Sequence, residues 1–276
     1  MKISVIIPSY NREETLRRAL NSVFKQTSKA NEVIVIDDGS SDKTADLIPQ
    51  HYPDVKLIQQ SNQGVSAARN TGIKSAQYDW IALLDSDDEW LPEKLKTIRQ
   101  AYKENPQEIL FHSDEIWIRN GTRVNQMNKH AKYGGEIFNF CLPLCVISPS
   151  AVIIHRSVFD LIGLFNENLP ACEDYDLWLR LCHRFKVFYI DQPLIKKYGG
   201  HEDQLSRKFW GMDRFRIRAL HDLIAQPTLQ AAQKELTINM LLKKLRILIK
   251  GAHKHNNQKI LEEFQPLLDH YENLKC

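Results

Sequence analysis

Four of the five residues in Asp85-Ser86-Asp87-Asp88-Glu89 are acidic, and they follow without a spacer on the apolar run Trp80-Ile-Ala-Leu-Leu84. A short, β-rich apolar run bounded by polar residues reads as a buried strand. Carboxylates crowded at its end disfavour one another's ionisation. Two arrangements would relieve that crowding. A divalent cation can neutralise the cluster, as the oxygen-coordinated Mg²⁺ and Mn²⁺ do, and the strand ends of open α/β sheets are where ligands sit. Alternatively, the acids form the first turn of a helix beginning near Pro92, where the helix dipole favours them. The run by itself does not choose.

The chain before it alternates between two periodicities. Residues 3–7 are strand-like. Asn11, with Glu14 three residues on, has the form of a capping box, and Leu16, Leu20, Val23 and Phe24 then share one helical face. Residues 32–37 make a second buried strand that ends in the turn Asp38-Gly39-Ser40-Ser41-Asp42. Residues 55–59 make a third strand, 64–77 a helix of small residues, and 80–84 the fourth strand. This alternation predicts an α/β fold with a mostly parallel, doubly wound sheet. Beyond it the pattern changes. Residues 115–119 and 122–126 flank Asn120-Gly121, a strong hairpin signal. Residues 151–155 form another apolar strand, and residues 172–185 a helix with Leu177, Trp178 and Leu181 on one face. From about Asp203 the chain reads as helical, broken at Pro227 and again at Gly251 with Asn256-Asn257, so a helical hairpin is expected as an appendage.

Composition excludes several classes. A net charge of +3 is too small to argue for a nucleic-acid partner, and 43% hydrophobic with 26% charged residues suits a soluble globular protein. No run reaches membrane-spanning length, and residues 1–8 have too short an apolar core for a signal peptide. The five cysteines (Cys141, Cys145, Cys172, Cys182, Cys276) are odd in number and unpaired in spacing. A disulfide framework or zinc site is not expected, and a cytoplasmic setting is. Within residues 236–254 the bases Lys243, Lys244, Arg246, Lys250 and Lys254 accompany an apolar face and no acid. Such a helix can lie peripherally on the anionic inner face of the cell membrane. It can equally be the solvated face of a helix packed on the core.

Five motifs occur in order: Val5-Ile-Ile-Pro-Ser-Tyr-Asn11, Val35-Ile-Asp-Asp-Gly-Ser-Ser-Asp42, Asn62-Gln-Gly-Val-Ser-Ala-Ala-Arg-Asn70, Asp85-Ser-Asp87 and Glu173-Asp-Tyr-Asp-Leu-Trp178. Together they resemble the family 2 inverting glycosyltransferases of GT-A fold. The resemblance implies a GT-A domain at 1–206, with a nucleotide-sugar half at 1–113 and an acceptor half at 114–206. The helices at 207–276 lie outside it. It further implies that Pro8 and Tyr10 frame the base beside Asn11, that Asp38 reads the base or ribose, and that Gly64 and Arg69 serve the donor. Arg69 would hold the diphosphate, as a guanidinium can with directional hydrogen bonds. Asp85 would contact ribose next to Ser86, and Asp87 would ligate Mn²⁺ or Mg²⁺, with His201 completing the metal site. Asp174 would be the general base, supported by Glu173.

Each residue also has a plainer reading. Asn11 can cap a helix, the Asp38 region can be an Asx turn, Arg69 can be ion-paired, and His201 can be an exposed loop residue. The two acids at 173–174 can simply favour a helix dipole. The implied reaction is transfer from a nucleotide-sugar, a UDP-sugar by analogy, to a saccharide or lipid-linked acceptor. The alternative is a non-catalytic nucleotide-sugar-binding or scaffold protein of the same fold, which would need no base at 173–174. Missing Walker-type and GxGxxG loops disfavour ATPase and dehydrogenase readings.

Overall fold

The computed structural model describes residues 1–200 and 208–274. Strands β1 (Ile3–Ser9), β2 (Glu32–Asp37), β3 (Lys56–Gln59) and β4 (Trp80–Leu83) alternate with helices α1 (Glu13–Phe24), α2 (Thr44–His51) and α3 (Val65–Ser75). All three pairings among these strands are parallel. Both faces of β1 are buried: Val5 and Ile7 meet Leu16, Leu20 and Val23 of α1, while Ile6 meets Ala68 and Ile73 of α3. The small residues of α3 have a clear cause. A Cβ on Gly72 would sit 2.4 Å from Ile6 Cγ2, so only glycine lets the helix lie this close to the sheet.

The second half is mixed, as the sequence suggests. It comprises β5 (Glu89–Trp90), α4 (Lys94–Glu104), β6 (Leu110–Arg119), β7 (Thr122–Val124), α5 (Phe138–Cys141), β8 (Val152–His155), α6 (Ser157–Ile162), α7 (Glu173–Cys182) and β9 (Phe188–Gly199). The sheet order is β3-β2-β1-β4-β8-β6-β9-β5, with β7 paired to β6. Strand β8 is antiparallel to both β4 and β6, whereas β6 and β9 run parallel. Asn120 and Gly121 both have positive φ, the geometry a tight hairpin requires.

Helices α8 (Asp213–Ile224), α9 (Ala231–Lys254) and α10 (Gln258–Asn273) follow. Leu220, Leu241, Leu245 and Phe264 from these helices join one apolar cluster with Leu177 and Leu181 of α7 and Ile6 of β1. The core therefore continues across the 206/207 boundary. Helix α9 runs through Gly251, and the break falls at Asn256, which takes the left-handed conformation. Lys244 is not on the basic face: it is buried, bonded to Asp213 and to the Pro143 carbonyl, each at 3.0 Å. Lys243, Arg246, Lys250 and Lys254 are exposed, beside exposed Leu236 and Ile247. Among the described residues no helix is long and apolar enough to cross a membrane.

Two local expectations are corrected. Asn11 does not cap α1, which starts at Glu13 with no side-chain cap. Its backbone is left-handed, and the amides of Asn11 and Arg12 are taken by Ser40 Oγ (2.8 Å) of the β2–α2 turn and Thr44 Oγ1 (2.9 Å) at the start of α2. Nor do the acids at 85–89 form the first turn of a helix. Helix α4 starts at Lys94 with no acid in its first turn, because Glu89-Trp90 leave as a short strand paired with β9.

Candidate active site

The C-terminal ends of β1, β2 and β4 converge at one edge of the sheet, where an open α/β fold binds ligands. Pro8 is buried there, and Tyr10 beyond it is exposed. The Asn11 side chain accepts the Ser41 amide at 2.8 Å, tying the β1 and β2 loops together. The Asp37 carboxylate accepts the Ser40 amide at 3.2 Å. Asp38 does something else. One oxygen accepts from Gln60 Nε2 (2.8 Å) and the Gln63 amide (2.9 Å), the other from the Gly64 amide (2.8 Å). The buried carboxylate thus shapes the segment leading into α3. Gly39 permits the approach, since a Cβ there would lie 2.9 Å from the Asn62 nitrogen.

Arg69 is the hub. From α3 it donates to Asp85 Oδ1 at 2.6 Å and to Glu173 Oε1 at 2.7 Å, and it is only 3% exposed. Burial works against its charge, but Asp85 and then Glu173 more than offset this, and its pKa is raised. The sequence resemblance assigns this guanidinium to a diphosphate; here its fork is occupied by two carboxylates. Its neighbour Asn70 reinforces the link by donating to the Phe165 carbonyl at 2.9 Å and to Glu167 at 2.8 Å.

The acids after β4 form a turn, closed by the Asp88 amide donating to the Asp85 carbonyl at 3.0 Å. An extended chain that would align Asp85 and Asp87 by alternation is therefore absent. Ser150 Oγ accepts the Asp85 amide at 3.0 Å and donates to Asp88 Oδ2 at 2.6 Å, while the Tyr198 amide donates to Asp88 Oδ1 at 2.9 Å. Burial, then the charges of Asp87 and Asp85, push the Asp88 carboxyl well up. Ser86 is buried too; Asp87 between them is half-buried. Arg18 of α1 donates to the Asp87 carbonyl and stacks 3.7 Å over the Tyr198 ring. Among the described residues no three His, Cys, Asp or Glu side chains gather into a metal cage. His201 lies outside the described residues.

Helix α7 opens on Glu173, after Cys172 in a left-handed conformation. Glu173 is buried, and desolvation followed by the Asp174 charge raises its pKa against the pull of Arg69. Asp174 is half-buried. It accepts the Tyr175 amide at 2.7 Å and the Cys145 thiol at 3.2 Å. Sequence reading missed Cys145, Ser148, Ser150, Lys197 and Arg18. None lies in a recognisable motif, and each reaches the site through tertiary contacts. Chemically, the site offers the half-buried carboxylates of Asp85, Asp87 and Asp174, beside the buried acids Asp88 and Glu173.

The sequence model described as glycosyl transferase family 2 matches residues 4–163. An uncharacterised glycosyltransferase of Rickettsia conorii is 34% identical over 197 residues, 71% of this chain but 32% of that protein. The chain thus spans about a third of that relative's length. Escherichia coli WfgD, a UDP-Glc:α-D-GlcNAc-diphosphoundecaprenol β-1,3-glucosyltransferase, is 34% identical over 230 residues, 82% of this chain and 87% of WfgD. Among solved structures, S. aureus TarS 1-349 in complex with UDP-GlcNAc matches with a TM-score of 0.71 at 22% identity, covering 89% of this chain and 72% of that one.

Proposed function

The chain belongs to glycosyl transferase family 2, and we propose that it moves a sugar from a UDP-sugar to a saccharide or lipid-linked acceptor by single displacement with inversion. The observation that carries this is the Arg69 bridge, which joins the acidic turn to the start of α7. Asp174 takes the acceptor hydroxyl proton as general base. The freed oxygen attacks the anomeric carbon from the face opposite the nucleoside diphosphate, which leaves with the bonding pair. Glu173 acts through Arg69, fixing α7 against the turn that receives the donor. Pro8, Tyr10 and the loop held by Asp38 form the nucleoside side.

Asp87 would hold Mn²⁺ or Mg²⁺, while Asp85 would keep the ribose side. The fit rests on donor chemistry: all-oxygen ligands in small number suit an ion bound by one or two carboxylates plus substrate phosphates. Such an ion stabilises the charge that develops on the departing diphosphate. WfgD and the TarS complex support a UDP-sugar donor by analogy, and WfgD a diphospholipid acceptor. The exposed Lys243, Lys250 and Lys254 beside Ile247 would then meet an anionic membrane surface.

UDP release from UDP-glucose and UDP-N-acetylglucosamine, with GlcNAc-diphospholipid as acceptor, tests this reading. Asp174→Asn should lower turnover by about 10²–10⁴-fold with UDP affinity unchanged. An equal loss of UDP affinity would remove Asp174 from the base role. A wild type that binds UDP yet transfers nothing would favour the non-catalytic reading.

A further inference from the structure

The transfer mechanism leaves one contact of the C-terminal helices unused. Lys244 of α9 is 7% exposed, and a charge so deeply placed needs partners. It donates to Asp213 Oδ1 at the start of α8 and to the Pro143 carbonyl, each at 3.0 Å. Asp213 also accepts from Arg216 at 2.9 Å, and the Arg216 guanidinium lies 5.9 Å from the Tyr175 ring. Near them, the Cys172 thiol donates to the Met212 carbonyl at 3.8 Å. The C-terminal helices thus reach both the start of α7 and the loop that follows α5.

Pro143 sits in the loop 142–150, between α5 and β8, which meets both acid clusters. Tyr175 Oη donates to the Leu142 carbonyl at 2.6 Å. The Cys145 thiol lies between the Ile147 carbonyl (3.1 Å) and Asp174 Oδ2 (3.2 Å). Burial, then the Asp174 charge, pushes this thiol well up, so it keeps its proton and can donate. Farther on, Lys132 donates to the Val146 carbonyl at 2.7 Å, Lys197 of β9 to Ser148 Oγ at 2.9 Å, and Ser150 Oγ to Asp88 at 2.6 Å. Those three anchors all follow Cys145. Before it, the hydrogen-bonding anchors among the described residues are Tyr175, on the same helix as the base, and Lys244.

We infer that Lys244 is a positioning residue for Asp174, fixing from the C-terminal helices the loop whose Cys145 thiol orients the base. This deepens the transferase reading and rests on it. Asp174 is held on two sides: Oδ1 accepts the Tyr175 amide at 2.7 Å, and Oδ2 takes the thiol. The first bond is internal to α7, whereas the second depends on where the loop lies. Without the ammonium the Pro143 carbonyl loses its donor, the loop loosens before Cys145, and the carboxylate turns away from the acceptor hydroxyl. A misplacement of about 1 Å can cost about 10²-fold in rate. Helices α8 and α9 are then a working part of the site and not an appendage to it.

Two measurements on the full chain test this. Lys244→Met keeps the side-chain stem, and Asp213 keeps Arg216. In UDP release from UDP-glucose with GlcNAc-diphospholipid, Lys244→Met and Cys145→Ala should each lower kcat by about tenfold or more, with KM for UDP-glucose unchanged. The double variant should lose no more than the worse single one, since both act through one contact. Lys244→Arg should recover most of the loss. An unchanged kcat in folded Lys244→Met, an equal loss of donor affinity, or losses that multiply in the double variant would each overturn the inference. The second readout is labelling of Cys145 by N-ethylmaleimide, followed by peptide mass. Lys244→Met should speed it about tenfold, the worth of one hydrogen bond from a charged group, and an unchanged rate also overturns the inference. If Lys244→Met does not fold, the shorter, uncharged Lys244→Gln replaces it in both measurements. Absence of turnover in wild type would count against the transferase reading, and the labelling would then decide the role of Lys244 alone.

Discussion

The turn at Asp85–Asp88 and the first turn of α7 both crowd carboxylates, and they relieve the repulsion by different means. At the turn, Asp85 is neutralised by Arg69 while Asp88 is buried against a hydroxyl and an amide, at the expense of a raised pKa. At α7, Glu173 shares the same arginine and lies at a helix N-terminus, where negative charge is favoured. In both, a buried acid held by the fold, Asp88 or Glu173, lies next to a half-buried one, Asp87 or Asp174. Arg69 belongs to both clusters, joining residues 16 and 104 positions away in sequence. The two clusters are therefore one electrostatic unit.

Arg69→Met is the most direct way to break that unity. It would strand Asp85 and Glu173 in a desolvated site, and loss of one partner from a buried ion pair costs about 3–5 kcal/mol. Urea denaturation should show this, and adding Glu173→Gln should recover part of the loss. A cost under about 1 kcal/mol, the range of an exposed pair, would mean that the clusters are independent. The next effect is smaller and falls on one cluster only. Asp87→Ala should weaken Mn²⁺-dependent UDP binding by at least about tenfold, or about 1.4 kcal/mol, in titration calorimetry. Unchanged affinity would remove Asp87 from the donor site.

The strands of the first half were legible because each is an apolar run between turn signals. The acids opening α7 were legible from their position before a helical face. What escaped depends on distant pairings. Asn11 has the grammar of a cap, but its side chain accepts the Ser41 amide while its own amide and that of Arg12 are taken by Ser40 and Thr44. The turn after β4 exists because Glu89 and Trp90 pair with Lys196 and Ile195. Lys197 could not be assigned to a face by alternation. The β6–β9 ladder shifts register on either side of Asp114, and such irregularities re-aim side chains.

The smallest effect separates the two clusters most finely, and it concerns Asp88. Its folded-state pKa is raised, chiefly by burial, above an unfolded value of about 4. The stability this confers is fully present below about pH 4 and is lost as pH rises through the raised value. Asp88→Asn keeps an oxygen to accept the Tyr198 amide and offers an NH₂ to Ser150, with no proton to lose. Measured without metal, the stability difference should move in favour of the variant by about 1 kcal/mol between pH 4 and pH 8. Parallel curves for the two proteins would show that the turn carries the Asp88 charge at no cost. The repulsion would then be concentrated at α7, where Glu173 pairs with Arg69 and the Asp174 charge lies next to it in sequence.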